Sequence, residues 1–172
     1  MRPSDYSARE QLRDGRSIEV RALRRNDEAG MLAAVDRMAD RSLQRRFFVS
    51  KRAFSEKEKA FFMDVDFVNH AALVAVTDED DRATIIGGGR YVVIEPGVAE
   101  MAFVVIDAFQ GLGIGTLLTR HLIAMAHAAG LRKLVADVLP DNTAMRNVLG
   151  KYGFRPERSQ DPRIVHLTMQ LP

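Results

Sequence analysis

The hydrophobic period changes several times along the chain, and each change marks an element. Residues 17–23, "SIEVRAL", alternate. Ile18, Val20 and Ala22 share one side and Glu19 and Arg21 the other, the period-two pattern of a half-buried strand. Met31, Leu32, Val35 and Met38 then recur at helical spacing behind Asp27, a residue able to cap a helix start. Ser55 with Glu58 three positions on is a capping-box pair and predicts a second helix across "EKEKAFFM". Between these helices, residues 45–48 ("RRFF") are expected to join the surface of the first helix to the core.

Three apolar stretches follow at 70–77, 83–94 and 98–106, separated by the short polar turns "DEDD" and "EPG". Turns that short predict an antiparallel meander. A helix is expected from about Thr116 to Ala129, with a stripe of Leu118, Leu122, Met125 and Ala129, and Gly130 stops it. "KLVADVL" (133–139) is a β-branched strand. Strand, loop, helix and strand in that order make 98–106 and 133–139 parallel neighbours. "PDN" caps a last helix carrying Met145, Val148, Leu149 and Tyr152. Gly153 ends it, and 163–171 is a closing strand. The expected fold is α+β: a mixed, mostly antiparallel sheet with helices on both faces, in α/β/α layers. Residues 1–16 are polar and read as a flexible segment before a single domain at 17–172.

Composition narrows the class. In a chain of 172 residues, 47% hydrophobic content allows one sizeable core. Cysteine is absent, which removes disulfides, thiolate metal sites and a cysteine nucleophile together. That absence suits a reducing compartment, so a cytoplasmic location is expected. No apolar run reaches the roughly 20 residues that span a bilayer, and the N-terminus lacks the apolar centre of a signal peptide. A net charge of +2 with no basic stripe does not call for nucleic acid. The basic residues are mostly arginine, which suits small anionic ligands such as phosphates. His121 and His127, six apart, do not share a helix face, so no metal site is expected. His70 reads as a buried histidine with a satisfied bond, or as the wall of a ligand pocket. "GGG" at 87–89, inside a strand, marks a bulge or close packing. Strand edges leave room for a homodimer.

The stretch "FQGLGIGTLL" (109–118) carries the chemistry. Gly111, Gly113 and Gly115 stand at alternate positions just where a helix must begin. Each costs up to about 1 kcal/mol against alanine in regular structure. Main-chain N–H groups freed by glycine, next to the unpaired N–H groups and positive dipole end of a helix, suit an anion. Thr116 adds a hydroxyl. Neither the dinucleotide fingerprint nor the P-loop ending is present.

Gln110-Gly111-Leu112-Gly113-Ile114-Gly115 resembles the Q/R-x-x-G-x-G/A signature of the GCN5-related N-acetyltransferases. The flanking "FVVID" and the downstream "DVLPDNTAMRNVLGKYGF" resemble that family's adjoining elements. "RDGRSIEVRALRRND", "SLQRRFF" and "VDFVNHAALVAV" look more narrowly like the acetyltransferase domain of bacterial protein lysine acetyltransferases. The resemblance implies binding of acetyl-CoA through Gln110 to Thr116 and through the main chain of Phe103, Val104 and Val105. It implies Asn142 on the coenzyme arm and Arg146 on a coenzyme phosphate. The acceptor it implies is a primary amine, most naturally a protein lysine, with a small amine as alternative. A binding-only sensor domain is the rival outside enzymes.

The family's commonest base position falls on Glu100, on the strand entering the loop; Asp137 on the neighbouring strand is the competitor. Asparagine at 142 also suits a plain helix cap. Many relatives carry a tyrosine four residues before the Gly-Phe glycine to protonate the leaving thiolate. This chain has Leu149 there, and Tyr152 is expected to face into packing.

Overall fold

The computed structural model describes residues 1–38 and 54–172, so the 45–48 segment lies outside the described residues. Its strands are β1 (Ser7–Gln11), β2 (Ser17–Ala22), β3 (His70–Glu79), β4 (Arg82–Glu95), β5 (Val98–Val105), β6 (Lys133–Val138), β7 (Arg155–Glu157) and β8 (Val165–Gln170). The described helices are α1 (Glu28–Asp36), α2 (Glu56–Met63), α3 (Ile114–Ala128) and α4 (Thr143–Lys151). One sheet holds all eight strands in the order β1-β2-β3-β4-β5-β6-β8-β7. Every neighbouring pair is antiparallel except β5 and β6, which the helical crossover α3 makes parallel. The expected meander, parallel pair and layering are therefore present.

The parallel pair is short, and that shortness positions the site. β5 bonds β4 over its whole length, from Val98 to Val105. Its partnership with β6 covers only Val98–Glu100 against Lys133–Val135. β6 runs on to Val138, paired with β8 throughout. Beyond Glu100 the two strands diverge and leave a wedge. The Ile106 N–H donates to the Ile86 carbonyl of β4 at 3.0 Å. Main-chain polar groups alternate sides along a strand. Those of Val105, Phe103 and Met101 therefore point away from β4, toward the wedge. The Val105 carbonyl confirms the direction, accepting the Gln110 side-chain N–H at 3.2 Å.

α1 and α2 cover one face: Gly30 of α1 lies beside Ile85, and Arg90 Nη1 on β4 donates to the Phe62 carbonyl at 3.0 Å. α3 covers the other face and packs against α4. Leu118 and Leu122 are fully buried, and Met125 is buried. Ala129 is exposed, and Ala126 takes its place in the buried stripe, because the helix ends at Ala128. The Ser55–Glu58 capping box forms in both directions. Among the described residues no helix is long and apolar enough to cross a membrane.

Three further expectations are corrected. Residues 1–16 do not fray: Ser7–Gln11 pair with β2, and Leu12 is 3% exposed. Asp27 makes no side-chain cap on α1. Its carboxylate instead takes two Arg21 N–H bonds, at 2.8 and 3.0 Å, and the Arg24 N–H. Burial pushes the Asp27 carboxyl up, but those bonds outweigh it and hold it below the usual range. Finally, α3 begins at Ile114 rather than Thr116, because Gly113 in the left-handed region (φ +95°) already serves as its N-cap.

Candidate active site

The glycine loop is built by two turns that require glycine. Gly111 (φ +80°) and Gly113 (φ +95°) adopt backbone conformations that L side chains rarely take. Gly115 is different: it lies in the first turn of α3 with ordinary φ, and a Cβ there meets nothing within 4 Å. It borders a cleft of about 370 Å³ that opens from the loop into the wedge between β5 and β6.

This cleft gathers most of the residues singled out from the sequence. Gln110, Gly111, Gly113, Ile114, Gly115 and Thr116 line one end, and Phe103, Val104 and Val105 one wall. Glu100, Asp137 and Asn142 line it too. Two residues stand apart from the lining. Leu112 packs against the core, and its carbonyl accepts the Arg13 N–H at 3.1 Å. Arg146 turns aside, its Nη1 donating to the Pro140 carbonyl at 2.9 Å. Asn142 acts as the N-cap of α4, with Oδ1 accepting the Met145 N–H at 3.3 Å.

The two carboxylates stand differently. Glu100 is exposed at the last rung shared by β5 and β6, opposite Val135. Alternation puts Glu100, Ala102 and Val104 on the face of α1 and α2. Phe103 lies on the α3 face beside Leu122, close to the position a Cβ on Gly89 would take. The cleft therefore crosses the sheet, with the glycine loop on one face and Glu100 on the other. Asp137 is engaged with His166, whose Nδ1 lies 2.5 Å from Oδ1.

His70 is buried on the Glu100 face. It occupies the same cross-strand row as Val92 and Glu100, stacks on Phe61 with centroids 5.1 Å apart, and has Arg90 Nη1 2.9 Å from Nε2. Burial first, and the Arg90 charge second, push its imidazole below the ordinary value. It is thus a buried histidine with a satisfied bond. Leu149, at the position where a tyrosine was looked for, is fully buried in the cleft wall. The Tyr152 hydroxyl donates to the Thr116 carbonyl at 3.3 Å, which joins the end of α4 to the start of α3.

Sequence reasoning missed two cations in the lining, Arg13 and Lys151. Arg13 fell in the segment read as frayed. The signal available was Asp14-Gly15, a hairpin dipeptide between two strands.

The sequence model of the Acetyltransferase (GNAT) family matches residues 31–154. An acetyltransferase of Pseudomonas aeruginosa is 31% identical over 160 residues, covering 91% of this chain and 86% of that protein. Acetyltransferase Pat of Mycolicibacterium smegmatis is 32% identical over 147 residues, covering 83% of this chain and 43% of that protein; the chain thus spans less than half of that relative. The crystal structure of the GNAT domain of S. lividans PAT superposes with a TM-score of 0.87 at 32% identity, covering 96% of this chain and 97% of that one. With the glycine loop, the splayed strands and the helix at their junction all in place, the chain belongs to the GNAT acetyltransferase family, enzymes that take their acyl group from acetyl-CoA.

Proposed function

We propose that this acetyltransferase moves acetyl directly to the side-chain amine of a protein lysine, with Glu100 as general base. The observation that carries the base assignment is the position of Glu100 where β5 and β6 part, on the cleft and on the face opposite the glycine loop. Sequence likeness to the bacterial lysine acetyltransferases, and the match to the Pat proteins, favour lysine over a small amine. The lack of cysteine fits a cytoplasmic enzyme.

Acetyl-CoA supplies the thioester carbonyl. The chain's own groups do the rest. Main-chain N–H groups of Gly111 to Thr116, at the positive end of α3, hold the diphosphate. The inward-facing N–H groups of Val105 and Phe103 hold the coenzyme arm and the negative charge that develops on the carbonyl oxygen. A donor of that kind is worth roughly 3 kcal/mol in the transition state. At neutral pH only about one lysine amine in 2,500 is deprotonated. Glu100, directly or through a water, takes the proton as the amine nitrogen bonds the carbonyl carbon and the C–S bond breaks. With Leu149 in the family's tyrosine position, the departing thiolate, of pKa about 8.5, takes its proton from water.

The test is thiol release from acetyl-CoA in the presence of lysine-bearing proteins and of small amines, followed by mass spectrometry of the proteins. New acetyl-lysine on the proteins is expected. Turnover on small amines with no acetyl-lysine would move the acceptor to the small-amine class.

A further inference from the structure

The hairpin that joins β1 to β2 touches the glycine loop at both of its flanks. Arg13 donates its main-chain N–H to the Leu112 carbonyl at 3.1 Å, and its Nη1 to the Gly111 carbonyl at 3.3 Å. Its Nε stands 3.6 Å from the position a Cβ on Gly113 would occupy. Three residues on, the Arg16 guanidinium lies 4.5 Å over the Phe109 ring, just before the loop.

The hairpin is also fastened to α3, the helix that the loop opens. Glu10 binds Arg120, and it meets His121 Nε2 at 2.7 Å, while the Tyr6 hydroxyl meets His121 Nδ1. Burial pushes the Glu10 carboxyl up, but the bonds to His121 and Arg120 outweigh it and hold it low, so the charged form is favoured. Leu12, directly before Arg13, is anchored in the core. These contacts hold the hairpin against the loop and α3, where Arg13 lines the cleft.

Charge along the cleft is graded. Its described cations are Arg13 and Lys151; its carboxylates are Glu100 and Asp137. Arg13 lies on the loop, and Lys151 immediately precedes Tyr152, which bonds Thr116. Both cations are thus at the loop end, and both carboxylates are on the diverging strands. A ligand with an anionic half and a neutral arm has one favourable direction in such a groove. A guanidinium offers five N–H donors in a rigid fork, and one bond to Gly111 leaves most of the fork for a phosphate.

We propose that Arg13 is a further coenzyme-binding residue, whose guanidinium closes over the diphosphate of acetyl-CoA from outside the family's glycine motif. It rests on the reading of Gly111 to Thr116 as the diphosphate cradle. The N-terminal hairpin is then part of the coenzyme site rather than an appendage to the sheet.

Calorimetric titration of the full chain, its Arg13→Gln and Arg13→Lys variants, and Gly115→Val tests this. The ligands are acetyl-CoA and 3′-dephospho-acetyl-CoA, with kcat/KM on S-acetylpantetheine as the phosphate-free readout. Arg13→Gln should weaken both nucleotide ligands about tenfold, as for a lost charged hydrogen bond, and leave the S-acetylpantetheine rate unchanged. Arg13→Lys, which keeps charge without the fork, should recover part of the affinity. Unchanged affinity in a folded Arg13→Gln variant overturns the proposal. So does an equal loss on S-acetylpantetheine, which would mark a structural role, and so does a loss confined to the ligand with the 3′-phosphate. If Gly115→Val binds like the parent, the cradle reading itself has failed. If only Gly115→Val weakens binding, the cradle stands and Arg13 alone is ruled out.

Discussion

Asp137 and His166 stand at paired positions on β6 and β8, and His166 Nδ1 lies 2.5 Å from Asp137 Oδ1. That contact ties Asp137 to β8, on the side of the cleft away from β5. Glu100 sits on the other wall of the same cleft. Asp137→Asn is expected to lower kcat by less than about fivefold, whereas Glu100→Gln should lower it at least about 100-fold with acetyl-CoA affinity unchanged. Steady-state kinetics paired with calorimetry separate the two. The reverse order of losses would transfer the base to Asp137.

Gly115 separates ligand binding from folding. It lies in regular helix, and a Cβ there meets no neighbour within 4 Å. Gly115→Ala is expected to add up to about 1 kcal/mol of stability through helix propensity, a rise of about 2–4 °C in a domain of this size. Gly115→Val should melt near the parent temperature yet lose acetyl-CoA affinity, because its branches enter the cleft. Gly113→Val should lower the melting temperature as well, since φ +95° costs an L residue strain. Thermal melts with and without acetyl-CoA read both effects.

His70 gives the fold a predictable pH response. Its pKa is pushed down in the folded protein, by burial and then by Arg90, against smaller opposing contributions from Asp64 and Asp66. The unfolded chain then binds the proton more readily. Stability from neutral His70 is complete above about pH 6.5 and is lost as pH falls below it, toward the lowered folded value. The melting temperature should therefore drop between pH 7.5 and 5.5, and His70→Gln, which does not titrate, should drop less over the same interval. Equal drops in the two proteins would show that His70 is not the group responsible.

Most of the fold was legible because its main elements announce themselves through burial. β3 and β5 are long apolar runs, α3 has a clean stripe, and Ser55 with Glu58 marks a helix start. β1 escaped because none of its five residues is buried, so it has no hydrophobic period to read. β7 escaped for the same reason: its three residues are all exposed. The loop and the strand before it were legible as motif and flank. The divergence of β5 from β6 was not, since where two strands stop pairing depends on their connections and other partners, not on either one's pattern. Arg13 was hidden by the same blindness to β1: the turn after an unread strand cannot be placed against a loop nearly 100 residues away.

The three glycines of β4 serve both purposes expected of them, and they differ in how a substitution should act. The register of β3 on β4 shifts between Ala75 and Val76, so Ile86 is the extra residue of a bulge just before Gly87. A Cβ on Gly87 would stand 2.9 Å from the Val104 carbonyl, a backbone atom held in the sheet. A Cβ on Gly89 would stand 2.8 Å from Leu122 and 2.9 Å from Phe103, both side-chain atoms. Gly87→Ala must move main chain and is expected to cost about 1–3 kcal/mol of stability. Gly89→Ala can be met by shifting the side-chain ends of Leu122 and of Phe103, which lines the cleft, so it should cost less stability and raise KM for acetyl-CoA severalfold. Denaturant unfolding and steady-state kinetics on the two variants test the contrast. A Gly89→Ala enzyme with the parent KM would show that Phe103 moves without disturbing the coenzyme arm.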